Sequence, residues 1–213
     1  MNQYKDMTDE YLIKNYVPDV YQKSIFTINY EQLKNASIKV ISFDIDDTIV
    51  PIEKHNPTKA AITLFENLKH MGFEVILMSN AKDERVQRFG EKLKVECISR
   101  ALKPNTNCLD DVRNIYIQKH DKAISPNEMA HVGNSMTRDV AVGKAYGAIT
   151  CLVRDVGRLP DAGKILRLPK TEGQKLREVL KERGIWRKHH KNAPDDQYYQ
   201  LEDTYLAQNN KKD

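Results

Sequence analysis

An α/β domain built on a parallel sheet is the fold class this 213-residue sequence predicts. Three observations predict it. From residue 38 onward, short apolar runs alternate with stretches of helical spacing, joined by brief polar connectors. That alternation is the signature of βαβ units, whose crossovers make the strands parallel. Second, the apolar runs at residues 38–43, 73–78 and 129–132 each stop on polar residues able to do chemistry. Third, the length suffices for one domain of ordinary size with extensions.

The elements follow in order. Residues 1–36 form a polar, tyrosine-rich lead-in in which Pro18 prevents a long helix, and Tyr16, Val20, Tyr21, Ile25 and Phe26 can anchor it to the domain. The core spans residues 37–156. After its first strand comes a helix that Asn56 can cap, with Pro57 at the first helical position, Gly72 at its end, and Ala61, Leu64, Phe65 and Leu68 as its buried stripe. A second helix after Asn80 uses Val86, Phe89 and Leu93, and a third after Pro104 uses Leu109, Val112 and Tyr116. A fourth is expected over residues 138–146, stopped by Gly147, and residues 148–153 read as a further strand. Residues 157–191 form a basic extension with one amphipathic helix on Leu176, Val179 and Leu180, closed by Gly184. Residues 192–213 read as a polar, mobile tail, although Tyr198, Leu201 and Tyr205 share helical spacing.

Four islands carry the chemistry: Asp44-Ile45-Asp46-Asp47-Thr48, Ser79-Asn80, Lys103-Pro104, and Gly133-Asn134 with Asp139. In an open parallel sheet, ligands bind at the carboxyl ends of the strands, so these groups would meet at one edge. The set suits phosphoryl transfer. Phosphate monoesters hydrolyse so slowly unaided that enzymes reach accelerations of about 10²¹. A carboxylate nucleophile divides that barrier into two lower ones. Asp44 is the expected nucleophile. Asp46, two residues on and facing the same side, is the expected acid and base. Ser79 and Asn80, between a strand and a helix start, suit an anion, and Lys103 supplies positive charge to the phosphate. Thr48 would bond to the turn or the phosphate, or orient the nucleophile. Asn134 and Asp139 offer hard oxygens for Mg²⁺, beside Asp44 and the carbonyl of Asp46.

Each island has a plainer reading alone: a loop, a helix cap, a surface turn. Their joint order favours one site. A receiver domain also pairs aspartates with a lysine, but it would place its phosphorylated aspartate after a later strand.

With those residues in view, the chain resembles the haloacid dehalogenase (HAD) superfamily, through D-x-D-x-T at Asp44, Asp46 and Thr48, the hydroxyl at Ser79, the lysine at Lys103, and G-N-x4-D ending at Asp139. The lead-in, from Tyr16-Val17-Pro18-Asp19 through Ser24-Ile25, is similar to subfamily IIIA phosphatases of the YqeG type. The resemblance covers residues 14–156. It implies a Rossmann-like three-layer α/β/α sandwich and an Mg²⁺-dependent phosphatase acting through a phospho-aspartate. Some relatives act on phosphatidylglycerophosphate. One departure stands out: the family usually has an acid at position 134, and an amide brings no charge to the cation.

The gaps between islands hold one crossover helix each and leave no room for an inserted cap domain. An open site suits a large substrate, such as a lipid headgroup, a nucleic-acid end or a phosphoprotein. Two rival functions use the same residues: a weakly catalytic phosphate-binding or regulatory protein, and a phosphatase of nucleic-acid ends. The net charge of +4 is no global nucleic-acid signature. The stretch 164–191, however, carries ten Lys/Arg against three Glu and includes Trp186, which fits contact with an anionic membrane or nucleic acid as well as it fits a solvated helix face. Cys97, Cys108 and Cys151 lie too far apart for a zinc or disulfide framework. A polar start and the lack of any apolar run near the roughly 20 residues of a membrane span lead to a cytoplasmic expectation.

Overall fold

The computed structural model describes residues 2–156, 171–186 and 198–203. The remaining parts of the basic extension, including Arg187 to Lys191, and most of the tail, including Tyr205, lie outside the described residues.

Six strands form one sheet: β1 (Val20–Gln22), β2 (Val40–Phe43), β3 (Glu74–Met78), β4 (Glu96–Ile98), β5 (Met129–Gly133) and β6 (Ile149–Val153). Their spatial order is β1-β6-β5-β2-β3-β4, and all five pairings are parallel. The chain moves outward from β2 to β3 and β4, then returns to lay β5 on the other side of β2. That reversal opens a crevice beyond the carboxyl ends of β2 and β5, where open α/β sheets bind ligands.

Helices cover both faces: α1 (Asp9–Tyr16), α2 (Tyr30–Asn35), α3 (Lys59–His70), α4 (Asp83–Leu93), α5 (Asn107–His120), α6 (Ala141–Tyr146) and α7 (Thr171–Glu182). The two-residue period of the strands explains the layers. Ile41, Phe43, Val75 and Leu77 point to the face that packs Phe65 and Leu68 of α3 and Phe89 of α4. The alternate residues Val40, Ile76 and Met78 meet Leu109, Val112 and Tyr116 of α5 and Val142 of α6. The Phe43 and Phe65 rings lie 4.9 Å apart, and each such buried side chain contributes roughly 1.5–3 kcal/mol. A third cluster joins Leu12, Tyr21, Val140 and Leu152 to Leu176, Val179 and Leu180 of α7 and to Trp186. The amphipathic helix of the extension thus buries the stripe expected of it.

Four details differ from expectation. The cap of α3 is Thr58, not Asn56: its hydroxyl accepts from Ala61 N–H at 3.1 Å, and Pro57 stays outside the helix. The fourth helix begins as a wide π-turn, Met136–Val140, before α6. The lead-in contributes an edge strand, β1, and two helices. The tail is not mobile over residues 198–203: Tyr199 bridges Tyr21 in antiparallel fashion, and its hydroxyl donates to Pro18 O at 2.9 Å. Buried apolar area explains this, because Tyr199 and Leu201 are almost fully covered.

Candidate active site

The site begins where β2 ends. Asp44 N–H donates to Val132 O at 2.9 Å, which extends the β2–β5 ladder by one residue and puts the two strand ends side by side. The chain then turns sharply. Asp47 takes a φ of 60°, a left-handed conformation that aspartate tolerates, while Thr48 and Ile49 N–H return to Ile45 O. That turn carries Thr48 Oγ1 back to donate to Asp44 Oδ2 at 3.3 Å.

Lys103 lies opposite. Its ammonium donates to Asp44 Oδ1 at 2.9 Å, Asp139 Oδ1 at 2.6 Å and Met78 O at 3.0 Å, so all three N–H groups are engaged. Burial works against its charge, but Asp139 and Asp44 outweigh it and raise the pKa. Burial likewise opposes ionisation of Asp139, yet Lys103 and His131 hold it far below the ordinary carboxylate range. Asp139 Oδ2 accepts from Ser135 N–H at 2.9 Å, and His131 Nε2 lies 3.2 Å from Oδ1. Burial lowers the pKa of His131, so the neutral ring donates from Nε2 to Asp139, and its Nδ1, 2.9 Å from Ser42 Oγ, accepts that hydroxyl. Gly133 is needed here, because a Cβ would come 2.2 Å from Asp139 Cγ.

Asp44, Asp46, Ser79, Asn80, Lys103, Asp139 and Arg138 line one cavity of about 170 Å³. Ser79 Oγ accepts from Ala81 N–H at 3.2 Å, which leaves its own proton for an anion. Burial raises the pKa of Asp46, against the opposing pull of Arg85. Arg85 Nε donates to Asp46 Oδ1 at 2.8 Å.

Two expected roles change, and among the readings open for Thr48 one is selected. Thr48 is fully buried and cannot reach a phosphate; it orients Asp44. Both atoms of the Asn80 amide clasp the Lys103 backbone, at 2.8 and 3.2 Å, so its side chain positions the lysine loop instead of the phosphate. Asp139 takes donors from Lys103, His131 and Ser135, which makes it a counter-ion and not a free cation ligand.

Whether the remaining oxygens fit a divalent cation is tested by Asn134. Its Nδ2 donates to Asp155 Oδ1, and because a carboxylate only accepts, this contact fixes the amide orientation. Oδ1 is consequently turned away, buried, and without any donor. An orphaned buried oxygen beside the strand end that carries Asp44 fits a hard cation. Mg²⁺ suits such a site, because it keeps several waters and takes few carboxylates. Asn134 itself lines a neighbouring cavity of about 250 Å³ with Asp155, Ser135, Met136, Gly173, Gln174 and Arg177.

Sequence reasoning missed Arg85, His131, Ser42 and Asp155. His131 had a signal: an imidazole inside an apolar strand must find a partner. Arg85 and Asp155 had none beyond their distance from the motifs.

Residues 8–156 match the family described as mitochondrial PGP phosphatase. A protein of Bacillus subtilis (strain 168) named probable phosphatase YqeG is 32% identical over 174 residues, which is 81% of this chain and 96% of that one. Among solved structures, the 3-deoxy-D-manno-octulosonate 8-phosphate phosphatase of Moraxella catarrhalis, in complex with magnesium, phosphate and KDO, is 12% identical with a TM-score of 0.42, covering 74% of this chain and 95% of that one. The cobalt-bound deoxy-D-mannose-octulosonate 8-phosphate phosphatase of Haemophilus influenzae is 13% identical with a TM-score of 0.43, covering 76% and 98%.

Proposed function

We propose a mechanism from one premise: the chain belongs to the mitochondrial PGP phosphatase family and is a phosphatase of the haloacid dehalogenase superfamily. The observation that carries the mechanism is the Asp44–Lys103–Asp139 cluster, buried at the edge of a cavity that also holds Asp46 and Ser79.

Asp44 attacks the phosphorus. Its carboxylate oxygen bonds to phosphorus as the bond to the ester oxygen breaks, and Asp46 protonates the departing oxygen. Asp46 then takes a proton from water, which attacks the aspartyl-phosphate and frees inorganic phosphate and Asp44. Thr48 holds one nucleophile oxygen and Lys103 the other. Ser79 O–H and the Asn80 backbone N–H bind the transferring oxygens. Asp44, the main-chain carbonyl of Asp46 and Asn134 Oδ1 would hold Mg²⁺, which when bound offsets the charge of a carboxylate meeting a phosphate dianion.

No cap element interrupts the described core, and the site opens beside the larger groove lined by Pro104, Thr137, Arg138 and Glu172. This openness and the family's description support a phospholipid headgroup of the phosphatidylglycerophosphate kind as substrate. Among the described residues no helix is long and apolar enough to cross a membrane. The basic extension, residues 164–191, would instead bring the enzyme to an anionic bilayer from the cytoplasm. Vesicle sedimentation at low and high salt checks that contact; equal binding at both overturns it.

Turnover of p-nitrophenyl phosphate with Mg²⁺ tests the chemistry. Wild type is expected to turn over, and Asp44→Asn is not. Equal rates for the two would remove Asp44 as nucleophile, and silence in both would favour the phosphate-binding reading.

A further inference from the structure

Arg85 stands in the first turn of α4, where the helix dipole favours anions. A cation there needs another reason. Its Nε donates to Asp46 Oδ1 at 2.8 Å, and Nη1 donates to Lys54 O at 2.8 Å. Its guanidinium carbon lies 5.1 Å from the centre of the Phe89 ring. Nη2 is 2.6 Å from the same Oδ1 but not directed along its N–H, so it adds charge and no second hydrogen bond. The side chain is only 17% exposed, so the fork is held in place. Every one of these carboxylate contacts falls on Oδ1. Among the described residues no hydrogen bond reaches Asp46 Oδ2, and Asp46 lines the catalytic cavity.

We propose that Arg85 is the positioning residue for leaving-group protonation: it pins Asp46 by Oδ1 and leaves Oδ2 for the departing ester oxygen. The inference rests on the reading of Asp46 as the general acid. As Asp44 bonds to phosphorus, the electron pair of the breaking P–O bond goes to the ester oxygen, and the proton on Oδ2 moves to that oxygen. Asp46 is left a carboxylate, still held through Oδ1, with Oδ2 ready to accept a proton from the hydrolytic water. The hold on Lys54 O makes the same guanidinium anchor the loop after the nucleophile turn.

An ion pair that only ties α4 to that loop would slow every substrate alike. A general acid matters in proportion to how poor the leaving group is, and this separates the two roles. The test measures kcat/KM for p-nitrophenyl phosphate, phenyl phosphate and an alkyl phosphate such as glycerol 3-phosphate, in wild type, Asp46→Asn, Arg85→Gln and Arg85→Lys. In Asp46→Asn the loss should grow from the nitrophenyl to the alkyl ester by about 100-fold or more. Arg85→Gln should show the same trend in weaker form, with the loss growing by about 10-fold from the nitrophenyl to the alkyl ester. Arg85→Lys should recover part of it, since an ammonium keeps the charge but not the planar fork. Thermal unfolding of each variant checks folding, and Arg85→Lys carries the test if Arg85→Gln does not fold. A steep trend in Asp46→Asn with uniform or absent losses in the Arg85 variants overturns the role of Arg85 alone. A uniform loss in Asp46→Asn overturns the acid reading and the inference with it.

Discussion

The sheet carries two ionic clusters at opposite ends, each with a lysine and a histidine on one carboxylate, and the carboxyl-end lysine also holds Asp44 as a second acid. At the carboxyl end are Asp139, Lys103 and His131; at the amino end are Glu74, Lys119 and His120. Contact distances barely differ: Lys103 is 2.6 Å from Asp139, and Lys119 is 2.8 Å from Glu74. Burial differs greatly. Lys103, Asp139 and His131 side chains are 2%, 3% and 0% exposed, whereas Lys119 and His120 are 55% and 40% exposed around a covered Glu74. Similar groups therefore have different consequences. Water screens the amino-end pairs, which are worth about 0–1 kcal/mol each. At the carboxyl end the charges lack water and depend on one another, so their protonation states are shifted and they border a cavity. Chemistry needs the second condition.

Removing the lysine at each end breaks this comparison most forcefully. Lys103→Met should destabilise the fold by about 3–5 kcal/mol, because it strands two buried carboxylates, and should abolish turnover. Lys119→Met should cost no more than about 1 kcal/mol and keep turnover. Urea unfolding and p-nitrophenyl phosphate assays check both, and similar costs at the two ends would refute the burial argument.

The histidines sharpen it. His131→Phe removes a donor to Asp139 and the partner of Ser42, with an expected cost of about 1–3 kcal/mol. His120→Phe should lie within about 0.5 kcal/mol of wild type, as surface changes usually do.

Cation binding should respond only at the carboxyl end. Asp155→Asn frees the Asn134 amide to rotate and should weaken Mg²⁺ binding by about 10-fold, read by calorimetry. The exchange Asn134→Asp with Asp155→Asn, which moves the carboxylate onto the cation, should recover it. Glu74→Gln should leave the affinity unchanged.

Acid titration gives the smallest effect. The folded pKa of Asp139 is depressed by Lys103 and His131 against the opposing effect of burial, so its contribution is complete above the ordinary aspartate range and is lost as pH falls below it. Asp139→Asn should flatten that part of the stability–pH curve, measured by urea unfolding between pH 5 and about 2.

Much of this was legible in the sequence, for physical reasons. Asp44, Ser79 and Gly133-Asn134 follow apolar runs directly, so locating the strands located the residues. The parallel sheet, the α3, α4 and α5 stripes and the helix on Leu176, Val179 and Leu180 were legible because each buries a face of regular period. The short edge strands β1 and β4 were not: three residues hold too few alternations to show a period, and β4 is largely uncovered. The duty of Asn80 was misassigned and that of Thr48 stayed open, because a hydroxyl or amide near a site serves a neighbouring protein group as readily as a ligand. Arg85 and Asp155 were hidden because an ion pair across 39 residues and a hydrogen bond across 21 leave no local trace.

Rapid acid quench during turnover of ³²P-labelled substrate, followed by peptide mapping of the retained label, tests the central claim most directly. The account predicts a phosphoryl group on Asp44, formed fast enough to precede product release and absent from Asp44→Asn. Label on another residue, or steady turnover with no labelled protein at any time, would contradict it.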